Sequence, residues 1–232
     1  MSNLVCVILG GGGHAQVLID SIQAQDAAVI YGVLDRDSSL WGKEVLGVPI
    51  VGDDLLLPEV VSRGVNCFAV GMGSTGDNHA RKRLFDLGVA YHLAPLTVIH
   101  PRAVCSKWAR VGAGSQLMPG SIVNAGATVG MNVIVNTGAI VEHDCVLRDH
   151  VHVATGARLA STVEVGPGAH VGAGAVVKQC IVIGEGAVVG AGAVVVEDVS
   201  AFTVVAGVPA RRLREVETQS LFSCGNSEGS RS

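Results

Sequence analysis

Residues 135–153 read VNTGAIVEHDCVLRDHVHV, and an aliphatic residue stands at every sixth position of this stretch. The spacing continues without a slip through fifteen positions from Val111 to Val195, and Cys105 and Ile99 extend it backward by two more. A period of six matches neither the 3.6-residue repeat of a helix nor the two-residue repeat of a strand. It is typical of short strands that are separated by a tight turn at every sixth residue.

Three such strands close a triangular coil of 18 residues, so residues n and n+18 lie one above the other at the ~4.8 Å spacing of neighbouring strands. Residues 111–200 then form five coils of a parallel β-helix with three faces. We name the faces by their inward residues: face A holds Val141, face B holds Leu147 and face C holds Val153. A purely structural rod of the ice-binding type would need a flat threonine-rich face, which this repeat lacks.

The composition fits a narrow interior and excludes several classes of protein. Of 232 residues, 31 are Gly and only 3% are aromatic, so small and β-branched side chains must fill the core. The mean hydropathy is +0.47, but the longest uncharged apolar run, residues 186–196, falls well short of the ~20 residues of a membrane span. A net charge of −4 without a basic stripe argues against a nucleic-acid partner.

The N-terminal residues lack the basic segment of a secretory signal, so we expect a cytoplasmic protein. The six cysteines lie far apart without a CxxC pair. This spacing predicts reduced thiols, with neither a disulfide framework nor a structural zinc site, and we expect no metal.

The N-terminal part of the chain has the pattern of a small α/β domain. Apolar runs predict four parallel strands, at residues 4–9, 29–34, 66–70 and 91–93. Helix-like segments at 14–24 and 78–87 alternate with these strands. We therefore predict a Rossmann-like, nucleotide-sugar-binding α/β domain at 1–97, a β-helix at 98–214 and a disordered tail at 215–232.

The sequence GGGGHA at residues 10–15 links the first strand to the first helix and satisfies the GxGxxA pattern. Glycines here let backbone N–H groups approach phosphate oxygens at a helix N-terminus, and Asp35 follows the second strand, where a carboxylate accepts bonds from a sugar or base. A dinucleotide fold needs two such halves, so we favour a nucleotide-linked substrate over NAD. A tight turn that binds no ligand remains an alternative.

Five motifs in order resemble those of one enzyme family. They are GGGGHA at 10–15, IHP at 99–101, VNTGA at 135–139, VEHDC at 141–145 and AGVPAR at 206–211. Over residues 4–214 the chain resembles the sialic-acid O-acetyltransferase and sugar N-acetyltransferase family, which includes enzymes of the bacillosamine and perosamine types. The resemblance implies a left-handed hexapeptide-repeat β-helix, acetyl-CoA as donor, a nucleotide-linked deoxyamino sugar as acceptor, a homotrimer, and a place in polysaccharide or glycan synthesis.

The resemblance also implies roles for individual residues. His143 is expected to be the general base and Asp144 its carboxylate partner, although the bacillosamine enzyme has the longer Glu at the latter position. Acetyl-CoA is expected to contact His152, Asn136, Ala191 and Arg211. The nucleotide sugar is expected to contact Gly10, Gly12, Gly13, His14, Asp35, Arg36 and Gly73.

The hexad register limits which of these residues can meet within one chain. His143 follows Val141 by two residues and lies at the corner between faces A and B. Asn136 and His152 lie on face C, where His170 is expected to stack on His152 in the next coil. A corner and the opposite face are separated by about 10 Å or more. His143 and His152 therefore share a site only if they belong to different subunits of a closed oligomer.

The expected chemistry is direct attack of the sugar amine on the thioester. An amine is mostly protonated at pH 7, so a histidine base must remove a proton before or during attack. Cys105 and Cys145 lie at inward register positions and are unsuited to form an acyl-enzyme.

Other interpretations remain open at this stage. The acceptor group is alternatively a hydroxyl of a sugar or of sialic acid, or the protein is a non-catalytic nucleotide-sugar-binding scaffold. His143, His150 and His152 raise the alternative of a zinc site between subunits, as in β-helix carbonic anhydrases. Arg211 and Arg212 are either partners for CoA phosphates or a solvated basic end.

Overall fold

The computed structural model describes residues 4–74, 76 and 78–216, which begin with an α/β part. Its elements are β1 (Val5–Leu9), α1 (Gly13–Gln25), β2 (Val29–Leu34), β3 (Glu44–Val45), β4 (Val48–Gly52), α2 (Leu57–Ser62), β5 (Cys67–Val70), α3 (His79–Ala90) and β6 (Ala94–Pro95), with short 3-10 helices at Ser38–Leu40 and Asp54–Leu56. The six strands form one sheet in the order β3-β4-β2-β1-β5-β6. Helix α1 packs on one side of the sheet, and α2 and α3 pack on the other.

The prediction of four strands was wrong, because the sheet has six. The sequence reading missed β3, β4 and α2. In β4 buried and exposed residues alternate, and β3 folds back on it as an antiparallel hairpin, so this edge lacks the continuous apolar run of a buried strand. The strand predicted at 91–93 is also displaced: His92 has a φ of 58° just after α3, and pairing with β5 starts at Ala94.

The second part of the chain is the left-handed parallel β-helix that the hexad repeat and the family resemblance predict, and strands 18 residues apart pair in parallel. Face C consists of Val98–Ile99, Gln116–Leu117, Ile134–Val135, His152–Val153, His170–Val171, Val188–Val189, Thr203–Ala206 and Arg211–Glu215. Face A consists of Val104–Cys105, Ile122–Val123, Ile140–Val141, Arg158–Leu159, Val176–Val177 and Val194–Val195. Face B consists of Arg110–Val111, Thr128–Val129, Val146–Leu147, Glu164–Val165 and Val182–Ile183.

Small aliphatic side chains fill the interior of the β-helix. The inward residues from Leu117 to Val195 at six-residue spacing are at most 2% exposed. The residues four positions after them, such as Ala127 and Ala139, are fully buried as well. A coil of 18 residues leaves no space for rings, which explains the low aromatic content of the sequence.

An antiparallel strand closes the C-terminal end of face C. Thr203–Ala206 continues the stack in parallel, and Arg211–Glu215 then pairs with it in the opposite direction. All five residues of this last strand are exposed. The predicted tail begins within this strand at Glu215, and residues 217–232 lie outside the described residues.

The α/β part covers face C of the β-helix. Met118 and Ile134 share one buried cluster with Leu18 and Ile22 of α1. Because the outward residues of face C are covered in this way, Gln116, His152 and His170 are buried although they point away from the β-helix interior.

Helix α3 runs along the corner between faces B and C and meets a series of coils. Asn78, just before α3, donates to the carbonyl oxygens of Gly168 and Ala169 at 2.9 and 3.1 Å. Two turns further along, the Phe85 ring lies 5.8 Å from the His150 ring, edge to face. The helical pitch of about 5.4 Å is close to the ~4.8 Å spacing of the coils, so successive turns of α3 meet successive corners.

Between these contacts the fully buried Arg81 links the two parts. Its guanidinium donates to the carbonyl oxygens of Val70 at 3.1 Å and Met72 at 2.8 Å in the α/β part, and to that of Asn132 at 3.4 Å in the β-helix. Burial lowers the pKa of Arg81 to about 9, so the group stays charged at neutral pH.

Two further observations concern the predicted class of protein. Within the described ranges, no helix combines the length and the apolar character needed to cross a bilayer. The cysteines of those ranges, Cys6, Cys67, Cys105, Cys145 and Cys180, are free thiols.

Replacing Arg81 tests how strongly the two parts are joined. We expect Arg81→Ala to lower the free energy of unfolding by about 3 kcal/mol or more, because three buried carbonyl oxygens lose a donor. Arg83→Ala, an exposed position on the same helix, is the matched control and should stay within about 0.5 kcal/mol. Denaturant titration measures both, and equal midpoints for the two variants would contradict the assigned role.

Candidate functional site

A cavity of 570 Å³ opens between the α/β part and the β-helix, beside the corner between faces C and A. Its lining residues are His14, Val17, Gly73, Ser74, Asn136, Thr137, His152 and Thr155. The cavity thus brings together His14 and Gly73, predicted for the nucleotide sugar, with Asn136 and His152, predicted for acetyl-CoA.

Two glycine loops form the wall on the α/β side. Strands β1 and β5 are neighbours in the sheet, so the segments at their carboxyl ends meet at one edge. A Cβ on Gly71 would collide with the carbonyl oxygen of Gly10, so this close approach needs glycine. A Cβ on Gly12 or Gly13 would meet nothing within 4 Å, so space is open at the N-terminus of α1, where main-chain N–H groups attract anions.

Asp35 fixes the first glycine loop. Its Oδ2 accepts the Gly11 N–H at 2.6 Å, and its Oδ1 accepts the Asp37 N–H at 2.8 Å. Arg36 is directed away from the loop and pairs with Asp54 at 3.0 Å on the surface. Neither Asp35 nor Arg36 lines the cavity.

His14 is held as a neutral ring with a defined proton position. Its Nε2 lies 2.7 Å from the Gln116 Oε1, and the Gln116 amide nitrogen donates to the Val70 carbonyl oxygen at 2.9 Å. The glutamine oxygen therefore faces the imidazole and accepts its Nε2–H, which leaves Nδ1 as an acceptor. Burial, with a smaller contribution from the Arg81 charge, lowers the pKa of His14 to about 4.

His152 is buried against two residues of the cavity wall and one of the next coil. Its Nδ1 lies 2.9 Å from the Ser74 Oγ, and its Nε2 lies 3.2 Å from the Asn136 Nδ2. The ring of His170 stacks edge to face at 5.0 Å, as the register predicts. Burial first, and then the neighbouring His170, lower the pKa of His152 to about 2, so this ring is neutral and not a proton acceptor near pH 7.

His143 and Asp144 lie at the corner between faces A and B, as the register predicts, and not in the cavity. The His143 Nδ1 is 2.8 Å from the Asp144 Oδ2, and both side chains are more than half exposed. Asp144 adopts a left-handed φ of 60°. Its carboxylate packs on Gly126 of the preceding coil, where a Cβ would collide with Oδ1. Within one chain the two residues are accessible from solvent and separate from His152.

Ala191 and Arg211, predicted to contact acetyl-CoA, do not line the cavity but lie further along the β-helix. Ala191 belongs to the ridge of corner residues that starts at Thr137 and Thr155, and their carbonyls accept N–H groups from successive coils. Three coils place Ala191 about 14 Å from Thr137. Arg211 lines a groove of 160 Å³ at the end of the β-helix, together with Arg212 and Glu197.

The three histidines of the zinc alternative do not converge within the chain. The His150 Nδ1 lies 3.0 Å from the Asn132 Nδ2, and its ring packs on Phe85 at the corner between faces B and C. Among residues 4–74, 76 and 78–216, no three His, Cys, Asp or Glu side chains are grouped to hold a metal ion.

The sequence analysis missed two residues of the site, Gln116 and Ser74. Gln116 stands 36 residues before His152 at the same outward position of face C, so the register alone marks it as a neighbour of this column. Ser74 has no such signal, because its contact with His152 depends on how the two parts of the chain pack.

The buried neutral histidines predict a pH-dependent stability. An unfolded histidine takes up a proton near pH 6.5, whereas burial lowers the pKa of folded His170 to about 4. Stability is therefore fully present above pH 6.5 and is lost as the pH falls toward 4, because the unfolded state then binds more protons. Between pH 6.5 and 5, His170→Gln should remove about 2 kcal/mol of this loss. Denaturant titrations at several pH values measure it, and parallel profiles for variant and wild type would contradict it.

Comparisons with known proteins agree with this architecture. Residues 6–87 match the PglD N-terminal domain family. Perosamine N-acetyltransferase from Caulobacter crescentus, solved as a histidine variant with CoA and GDP-perosamine, is 38% identical over 93% of this chain and 99% of that chain, with a TM-score of 0.85. The acetyltransferase domain of PglB from Neisseria gonorrhoeae is 34% identical over 91% of this chain and 100% of that chain, with a TM-score of 0.82.

A third structure, WeeI from Acinetobacter baumannii, is 26% identical over 91% of this chain and 100% of that chain, with a TM-score of 0.79. No curated protein matches the chain. Because the match to the 38% identical relative spans nearly the full length of both chains, the chain belongs to the hexapeptide-repeat acyltransferases of nucleotide-linked sugars, the family that its motifs resemble.

Proposed function

We propose that this chain transfers the acetyl group of acetyl-CoA to the amino group of a nucleotide-linked deoxyamino sugar. The observation that carries the proposal is the cavity, where the open N-terminus of α1 and the His14 ring face Asn136 and His152 of the β-helix. Two relatives support the ligands: perosamine N-acetyltransferase was solved with CoA and GDP-perosamine, and the PglB domain with acetyl coenzyme A.

We assign the nucleotide sugar to the α/β domain at residues 1–97. The main-chain N–H groups at Gly10, Gly12 and Gly13 are proposed to bind the phosphates, in a loop that the Asp35 carboxylate holds. His14 and Gly73 line the cavity and face the sugar. Arg36 is assigned to the nucleotide as well, because the exposed end of its side chain can exchange Asp54 for an anionic or polar ligand group.

We assign acetyl-CoA to the β-helix domain at residues 98–214. The ridge from Thr137 to Ala191 consists of small residues along the edge of face A, which lets an extended ligand lie close to the backbone. Its ends suit the two ends of the donor: the cavity with Asn136 and His152 for the thioester, and Arg211 for the phosphates, which guanidinium groups bind well.

His143 is the proposed general base. Acetyl-CoA supplies an acetyl group that is activated as a thioester. The Asp144 carboxylate accepts the Nδ1–H of His143, which leaves the lone pair on Nε2 to take a proton from the attacking amine. As the new C–N bond forms and the C–S bond breaks, the imidazolium returns the proton to the leaving sulfur. The neutral His14 and His152 are left to bind and orient.

We further propose a homotrimer in which each site uses two chains. The outward residues of face A are mostly apolar and only partly covered: Val104, Ile122, Ile140, Val176 and Val194. One edge of this face carries the cavity and the other carries His143. If three copies turn face A toward a common axis, the cavity edge of one copy meets the His143 edge of the next.

The cytoplasm is the proposed compartment, because the free thiols of the described residues suit a reducing environment. The acetylated product would then enter polysaccharide or glycan synthesis.

An acceptor panel tests the activity. Purified protein is mixed with acetyl-CoA, a thiol reagent and UDP-, GDP- or dTDP-linked amino sugars, and we expect CoA release with at least one of them. His143→Ala should lower kcat by about 10²-fold or more while the oligomer stays intact, since general base catalysis contributes 10² to 10⁴. CoA release only with hydroxyl acceptors would indicate O-acetylation, and silence with every acceptor would indicate a binding scaffold; either result refutes the proposal.

Subunit complementation tests the shared site. His143→Ala and His152→Ala chains, each weakly active alone, are co-expressed with different tags and the mixed trimers are isolated. In a random mixture, about one site in four combines an intact corner with an intact cavity, so about a quarter of wild-type activity should return. A mixture no more active than its two components would show that the corner and the cavity do not meet between chains.

A further inference from the structure

Ser74 joins the loop after β5 to two histidines of face C. Its Oγ lies 2.9 Å from the His152 Nδ1 and 3.4 Å from the His170 Nδ1. Ser74 lines the cavity next to Gly73, which is on the side assigned to the nucleotide sugar, whereas His152 is on the side assigned to acetyl-CoA. One hydroxyl therefore connects the two halves of the proposed site.

The orientation of the Asn136 amide sets the proton position on His152. The Asn136 Oδ1 accepts the N–H of Thr137 at 2.8 Å, so the amide nitrogen is the end that faces the His152 Nε2 at 3.2 Å. An amide nitrogen only donates, so Nε2 must carry a lone pair, and the single proton of the neutral ring sits on Nδ1.

The Ser74 hydroxyl completes a chain of hydrogen bonds that run in one direction. It accepts the Nδ1–H of His152, and its own hydrogen is then free to donate to the His170 Nδ1. Removal of the hydroxyl would leave a buried N–H without an acceptor, which costs about 1–3 kcal/mol. The order Asn136, His152, Ser74, His170 thus spans both parts of the chain.

We propose that Ser74 is a positioning residue that holds His152 in the Nδ1–H form, and through it the Asn136 amide, so that the sugar loop sets the geometry of the acetyl-CoA site. The inference rests on the proposed function for its kinetic consequences. Ser74 acts through His152 and touches neither reacting atom. Loop order on the sugar side is thereby coupled to donor binding on the β-helix side.

The first experiment is nitrogen-15 NMR of the histidine rings in the full-length, ligand-free protein. We expect the His152 Nδ1 to carry a slowly exchanging proton in the wild type. That resonance should disappear or exchange rapidly in Ser74→Ala and persist in Ser74→Thr, which keeps a hydroxyl. Its absence from the wild type, or an unchanged resonance in Ser74→Ala, would overturn the inference. This measurement needs no turnover, so it stays decisive even if the proposed reaction fails.

The second experiment is a double-mutant cycle on kcat/KM for acetyl-CoA. We expect Ser74→Ala to lower this ratio about five- to tenfold, the range of one hydrogen bond, with most of the loss restored in Ser74→Thr. In the His152→Ala background the same change should have less than about a twofold effect. Equal losses in both backgrounds would mean that Ser74 acts independently of His152, and would overturn the coupling.

Ser121→Ala is the matched control for both experiments. Its Oγ is buried in the β-helix but has no hydrogen-bond partner. Loss of this hydroxyl should leave both the His152 resonance and kcat/KM within about twofold of the wild type. If Ser121→Ala lowered them as much as Ser74→Ala does, the effect would belong to serine removal in general and the inference would fall.

Discussion

Hydrogen bonding between successive coils is the constraint on which the rest of the structure depends. Strands 18 residues apart pair directly, so the inward or outward direction of each side chain repeats from coil to coil. A polar residue in an outward column of face C cannot escape into the lumen. Gln116, His152 and His170 are therefore pressed against the α/β part, and buried polar groups need partners there. His14 and Ser74 are those partners, and the cavity lies beside them.

The electrostatics of the cavity follow from the same packing. Arg81 is buried among carbonyl oxygens, with no carboxylate among its recorded partners. Together with desolvation, its charge lowers the pKa of both His14 and His152. The cavity is consequently lined by imidazoles that present fixed donors and acceptors but do not take up protons near pH 7. A base for the proposed reaction must come from outside the cavity, and the exposed pair of His143 and Asp144 has the required equipment.

Sequence reasoning succeeded wherever a periodic backbone fixes side-chain direction. The six-residue spacing placed every strand of the β-helix, the stacking of His152 on His170, and His143 at the corner between two faces. It failed where partners are chosen by packing between distant segments. β4 is a half-exposed edge strand with Pro49, so no continuous apolar run marks it. Asp35 is read from sequence as a ligand for a sugar or base, but its two oxygens first secure the glycine loop. Ser74 is an ordinary loop serine until the two parts are docked.

The terminal antiparallel strand has a consequence for the particle as a whole. A parallel solenoid ends in a rim of free main-chain groups, which is a template for the first turn of another molecule and hence for fibres. In this protein Arg211–Glu215, with the sequence RRLRE, runs against the direction of the stack and places like charges outward at that rim. End-to-end polymerisation is thereby opposed both by reversed strand polarity and by charge, and lateral association through the faces is left as the open route to assembly.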